Sequence, residues 1–157
     1  MADNKQRLTD LQAAMQAAKV DLAAIGPTAN MRYLLAYAPH PDERLCLLLV
    51  SPEKTSIVVP TLNAEDMSAH VNDIPFFRWP DADGPNEALA EALSGLEVNK
   101  LAIDGSMRAD FLLPLLAATT PRQIITVEPL LAPLRARKSP EEIEALARAA
   151  ALADQPS

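Results

Sequence analysis

Few residues in this chain have the types and spacing that chemistry demands. His40 and His70 are its only histidines and Cys46 its only cysteine. A self-contained zinc site draws three or four ligands from clustered Cys and His, and no such cluster exists here. Cys46 lies among Leu45, Leu47, Leu48 and Leu49, which is the setting of a buried, inert thiol. Gly26, Gly84, Gly95 and Gly105 are scattered, so no loop cradles a phosphate or a dinucleotide. A Gly-x-Ser-x-Gly elbow is also missing. In Asp81-Ala82-Asp83-Gly84 the glycine comes too early for a calcium loop, and no closing Glu follows; a turn and helix cap is the simpler reading. Glu65 and Asp66 are neighbours on an expected helix and do not face each other, which fits a solvated face. Asp104 beside Gly105 starts a turn. The segment left with functional promise is Tyr37-Ala-Pro-His-Pro-Asp-Glu43. It holds Tyr37, His40 and Asp42 on a loop that Pro39 and Pro41 stiffen.

That loop needs a scaffold, and the pattern of the chain supplies one. Leu8, Leu11, Met15 and Ala18 fall at helical spacing and predict a helix to about Lys19. Val20–Ile25 reads as a strand closed by Gly26-Pro27. Thr28 then caps a short helix through Asn30–Tyr37. The unbroken apolar run of Arg44–Val50 predicts a central strand. A turn at Ser51-Pro-Glu-Lys54 joins it to a strand at Thr55–Val59, as a hairpin. Pro60–Val71 reads as a helix with Thr61 or Asn63 near its cap. Ile74–Trp79 is a strand that Pro75 pushes to a sheet edge. Ala88, Leu89, Ala92, Leu93 and Leu96 mark the next helix, ending near Asn99. Lys100–Asp104 is a strand. Arg108–Ala118 is helical, with Pro114 expected to kink or restart it. Arg122–Val127 is the last strand, and Pro129–Arg135 a short helical piece. Strands alternate with helices after one early hairpin, which predicts an α/β domain with a mixed sheet and helices on both faces.

The bulk properties fit one such domain. A chain of 157 residues buries roughly 70% of the surface its unfolded form exposes. The net charge of −7 argues against nucleic acid, whose phosphates call for a basic face. Arg135, Arg137 and Lys138 are too few to reverse that. No apolar run is long enough to span a membrane. One cysteine and a polar N-terminus with no apolar signal segment point to the cytoplasm.

The last stretch, Leu134 to Asp154, is a well-specified helix start. Ser139 is placed to cap it, Pro140 suits its first position, and Glu142 completes a capping box. Ile143, Leu146, Ala147, Ala150 and Ala151 form an apolar stripe, and Glu144 can pair with Arg148. The helix reads either as a passage into something larger or as a terminal helix docked on its own domain.

Three segments, in order along the chain, give a resemblance. Ala29-Asn-Met-Arg-Tyr-Leu34 is similar to an Asn-Ile-x-Tyr-Leu stretch, and Glu43-Arg44 before an apolar strand to a second-strand lead-in. Leu134-Arg-Ala-Arg-Lys-Ser-Pro-Glu-Glu-Ile-Glu144 is similar to a linker with a Lys-Ser-x-x-Glu-Ile core. Together they resemble the N-terminal domain of the creatinase–prolidase family, the pita-bread metallopeptidases that include Xaa-Pro dipeptidase and aminopeptidase P. One departure stands out: where the family continues Tyr-Leu with Thr-Gly-Phe, this chain has Leu35-Ala36-Tyr37.

The resemblance implies a three-layer α/β/α domain with a mixed sheet of five or six strands and a ribonuclease-H-like motif. It implies a domain over residues 1–134, with 135–157 as linker and first helix of a catalytic domain absent from this chain. That catalytic domain would hold two divalent metals, manganese, cobalt or zinc, and none would bind here. The chain itself would be non-catalytic. It would serve dimerisation and the partner subunit's substrate site, with Tyr37, His40 and Asp42 reaching a proline-containing peptide in trans. Arg32 and Tyr33 would serve packing or loop support. Two alternatives stay open: the same domain in an amidinohydrolase or lyase, and a free-standing interaction or dimerisation module.

Overall fold

The computed structural model describes residues 2–137 and 140–153, which form seven helices and six strands. In chain order these are α1 (Ala2–Ala18), β1 (Leu22–Ile25), α2 (Ala29–Leu35), β2 (Leu47–Val50), β3 (Thr55–Pro60), α3 (Thr61–His70) and β4 (Phe76–Trp79). There follow α4 (Asn86–Ala92), β5 (Lys100–Ile103), α5 (Ala109–Thr119), β6 (Gln123–Thr126), α6 (Glu128–Ala136) and α7 (Pro140–Ala153).

The strands make one mixed sheet in the order β4-β3-β2-β1-β5-β6. β2 runs antiparallel to both β1 and β3, while β1–β5, β5–β6 and β3–β4 are parallel. β1 and β2 are buried along their whole length, as continuous apolar runs between two helical layers must be. Side chains alternate across the sheet. Ala23, Ile25, Leu48 and Val50 face Leu11 and Met15 of α1, Met31 and Leu34 of α2, Met67 of α3 and Leu131 of α6. Leu22, Ala24, Leu47 and Leu49 face Leu89 of α4 and Phe111 and Leu115 of α5. The three-layer α/β/α architecture read from the sequence is the one observed.

Several boundaries move for local reasons. β2 starts at Leu47 and not Arg44 because the backbone before it is committed elsewhere. The Arg44 N–H donates to Asp42 (2.8 Å), and the Leu45 carbonyl accepts from the Trp79 indole (3.0 Å). β4 lies at the sheet edge directly after Pro75, as its missing N–H requires. α3 begins at Thr61 with Pro60 at its N-cap and no side-chain cap bond; neither Thr61 nor Asn63 caps it. α4 ends at Ala92, ahead of Gly95, whose φ of +77° reverses the chain. The N-cap of α4 is Pro85, so the helix cap expected within Asp81-Ala82-Asp83-Gly84 does not form. Pro114 neither splits nor restarts α5, which is one helix through it.

The capping box expected at the start of α7 rests on Ser139, which lies outside the described residues. Glu142 pairs with Arg7 of α1 (3.0 Å). The Glu144–Arg148 pair forms at 2.8 Å. The stripe does not dock on the domain: Ile143 is 56% exposed and Leu146 52%. No described helix is long and apolar enough to cross a membrane.

Candidate functional site

The loop after α2 owes its shape to both of its ends. At the first end, Thr28 caps α2 by accepting from the Asn30 N–H (3.2 Å), and the helix stops at Ala36. Ala36 holds φ +56° and ψ 11°, a left-handed C-cap that favours glycine. It occupies the position where the resembled pattern has Gly. The chain therefore keeps the turn and accepts the steric cost of a Cβ there.

Tyr37 follows at once and is drawn toward α3. Its hydroxyl donates to the Asp66 carboxylate, and its ring stacks on His70 with centroids 4.6 Å apart and planes 12° from parallel. Burial, and then the Asp66 hydrogen bond, push the Tyr37 phenol up to about 12. His70 sits 2.9 Å from the Asp66 carbonyl through Nδ1; a carbonyl only accepts, so Nδ1 carries the proton. His70 thus braces Tyr37. Asp66, read from sequence as part of a solvated face, is the partner that fixes the tyrosine.

At the other end, Asp42 accepts from the Arg44 backbone N–H and, at 3.3 Å, from its guanidinium. Arg44 also reaches Asp81 (3.1 Å), which ties the loop to the turn after β4. Between the two anchors Pro39 is buried and His40 is exposed. No hydrogen bond joins Tyr37, His40 and Asp42 to one another among the described residues. Tyr37 and Asp42 are held by different neighbours, and the His40 ring is presented to solvent. Cys46, just beyond, is buried, and burial pushes its thiol up to about 12, well out of the nucleophilic range.

Behind the loop lies a second cluster that sequence reasoning missed. The Arg7 guanidinium lies 4.5 Å from the Tyr33 ring centroid and donates to the Tyr33 carbonyl (2.6 Å), to Asp3 and to Glu142 (3.0 Å). Arg135 approaches the same ring at 5.9 Å and donates to Asn30 Oδ1 (3.1 Å). With Pro39 and Pro41 of the loop, Arg7, Tyr33, Arg135 and Glu142 wall one cleft. Tyr33 is thus a packing residue, as expected, and its phenol is raised, first by burial. Nearby, the buried Asp104 starts its turn by accepting from the Ser106 N–H (3.0 Å) and also takes the Thr28 hydroxyl, which links the ends of β1 and β5. Glu128 accepts from the Gly105 N–H (2.9 Å); a Cβ at Gly105 would come within 3.0 Å of that carboxylate.

Metal chemistry needs convergent donors. Among the described residues no group of three or more His, Cys, Asp or Glu converges to hold an ion. No reaction step is assigned to a metal in this domain.

Comparison with known proteins places this geometry. No curated protein gives a significant sequence match. Among solved structures, dipeptidase PepE from Mycobacterium ulcerans is similar at 30% identity and a TM-score of 0.84, over 96% of this chain and 41% of its own. A dipeptidase from Pyrococcus horikoshii OT3 is similar at 29% identity and a TM-score of 0.74, over 88% of this chain and 38% of its own. The present chain therefore spans about two fifths of the length of these two enzymes. The creatinase/prolidase N-terminal domain of a Streptococcus pyogenes X-Pro dipeptidase shares the fold at 18% identity and a TM-score of 0.73, over 81% of this chain and 97% of its own. The family profile of the Creatinase/Prolidase N-terminal domain matches residues 7–137, which include the capped α2, the left-handed Ala36, the braced loop and the whole mixed sheet, and the chain belongs to that family.

Proposed function

We propose that this chain is the non-catalytic N-terminal domain of a metal-dependent Xaa-Pro dipeptidase-like hydrolase. The observation that carries the proposal is α7, which leaves the domain with Ile143 and Leu146 of its apolar stripe uncovered. An apolar stripe on a helix needs another layer to cover it. In this proposal that layer is the enzyme's catalytic domain, which α7 begins and which holds two divalent metals, manganese, cobalt or zinc. Similarity to two dipeptidases over about two fifths of their length supports the same division.

The domain's part is to shape the substrate site of a partner subunit in a cytoplasmic homodimer. The rigid loop carries it. His40 meets the proline-containing peptide, while Tyr37, locked on Asp66 and His70, and Asp42, locked on Arg44, keep the loop in one conformation. Preorganising such a loop lowers the ordering cost that binding would otherwise incur.

Substitution of His40 by Ala in the full-length protein tests this. Because the ring is exposed and bonds no described residue, stability should not change. The kcat/KM for a Xaa-Pro dipeptide with manganese should fall about tenfold or more, the equivalent of about 1.4 kcal/mol of lost transition-state binding. An unaltered kcat/KM would remove His40 from the site. A coding region that continues without two Asp, one His and two Glu would remove the catalytic domain. Metal-independent turnover of a non-peptide would move the protein to another reaction class.

A further inference from the structure

The Arg7 cluster is more elaborate than packing requires. The Arg7 side chain is only 13% exposed, and its guanidinium is engaged from three elements at once. Within α1 it pairs with Asp3 one turn back; on α2 it lies over the Tyr33 ring and bonds the Tyr33 carbonyl; on α7 it holds Glu142. The other side of the connection is pinned to the same residue, since Arg135 near the end of α6 also sits at the Tyr33 ring and bonds Asn30. Ala145 and Leu146 of α7 border a shallow cleft with Tyr33, Arg135 and Glu142. Beyond this first turn α7 is exposed along its described length.

We infer that Arg7, Tyr33 and Arg135 form a clamp that sets the direction in which α7 leaves the domain, with Glu142 as the residue it grips. The physical reason is geometric. A planar guanidinium fixed by an aromatic face and a backbone carbonyl has little rotational freedom left, so the carboxylate it binds is held in direction as well as distance. Glu142 lies in the first turn of α7, and a helix transmits the orientation of its first turn along its whole length. Pro39 and Pro41 wall the same cleft as Arg7, Tyr33, Arg135 and Glu142. The clamp therefore registers α7 against the loop that carries His40. That consequence rests on the function proposed above, whereas the clamp itself concerns this chain alone. Arg7, Tyr33, Arg135 and Glu142 are positioning residues in this scheme and touch no substrate.

Spin-label distances on the 157-residue chain test it directly. Labels enter through Ala149→Cys on α7 and Leu113→Cys on α5, both exposed, while the buried Cys46 stays unlabelled. The parent pair should give one narrow distance distribution. Arg7→Ala should broaden it at least twofold, and Glu142→Gln should do the same. Glu142→Gln alters a partly exposed side chain, so it gives the reading even where Arg7→Ala impairs folding. A distribution unmoved by Glu142→Gln, or one already broad in the parent pair, would overturn the inference. Neither result bears on the metal ligands or on His40, so failure here is separate from failure of the functional reading.

Discussion

Tyr37 is held by two residues of α3: its hydroxyl donates to the Asp66 carboxylate and its ring stacks on His70. Its place on a proline-stiffened loop was legible. Its bonds to Asp66 and its stacking on His70 were not, because they cross about thirty residues and join two elements whose packing no local pattern states. The pairing has a measurable consequence. The folded phenol is pushed up to about 12 by burial and by Asp66, against about 10 in the unfolded chain. The native state therefore holds this proton more tightly, and its contribution to stability is complete below about pH 10. It is lost as the pH rises from there toward 12. An ultraviolet titration should show Tyr37 ionising last, and Tyr37→Phe should remove that step. A single phenol transition near pH 10 in the folded protein would contradict the burial and bonding described. The same logic separates Cys46, whose apolar neighbours announced its burial, from Arg7, whose role depends on partners as distant in sequence as Glu142.

At the scale of elements, the alternation of strand and helix was readable because both periods are local properties. Leu11 and Met15 declare a helix face, and the run Leu47–Val50 a strand covered on both sides. Ends were less readable because they turn on single hydrogen bonds, such as the one from Arg44 N–H to Asp42 that delays β2. Ala36 is the instructive case. Nothing in an alanine signals a left-handed backbone, yet α2 must end there for the loop to begin. A left-handed Ala costs about 1–2 kcal/mol, and the extra freedom of Gly in the unfolded chain gives back about 0.4–1 of that. Ala36→Gly should therefore raise stability by about 0.5–1 kcal/mol, seen as a higher urea midpoint at unchanged slope. A lower midpoint would show that the turn is shaped otherwise.

For the whole molecule, the decisive contrast is between two kinds of apolar surface. Both faces of the sheet are sealed at its central strands, with residues such as Leu48, Ile57, Leu101 and Phe111 essentially inaccessible. α7 instead carries Ile143, Leu146 and Leu152 into solvent. The sequence allowed either a docked terminal helix or a passage onward, since an amphipathic stripe does not say what will cover it. The structure shows Ile143 and Leu146 uncovered, and the passage onward belongs to the function proposed above. In the function proposed above, the domain brings a buried core, a proline-stiffened loop and an uncovered helix to chemistry carried out elsewhere in its protein.

That division of labour is tested most directly by Xaa-Pro dipeptide hydrolysis in the presence of manganese, measured side by side for the isolated 157-residue chain and for the full-length protein. Manganese-dependent turnover is expected from the full-length protein and none from the isolated chain. Turnover by the isolated chain, or a full-length protein that is inactive on such dipeptides with metal supplied, would contradict it.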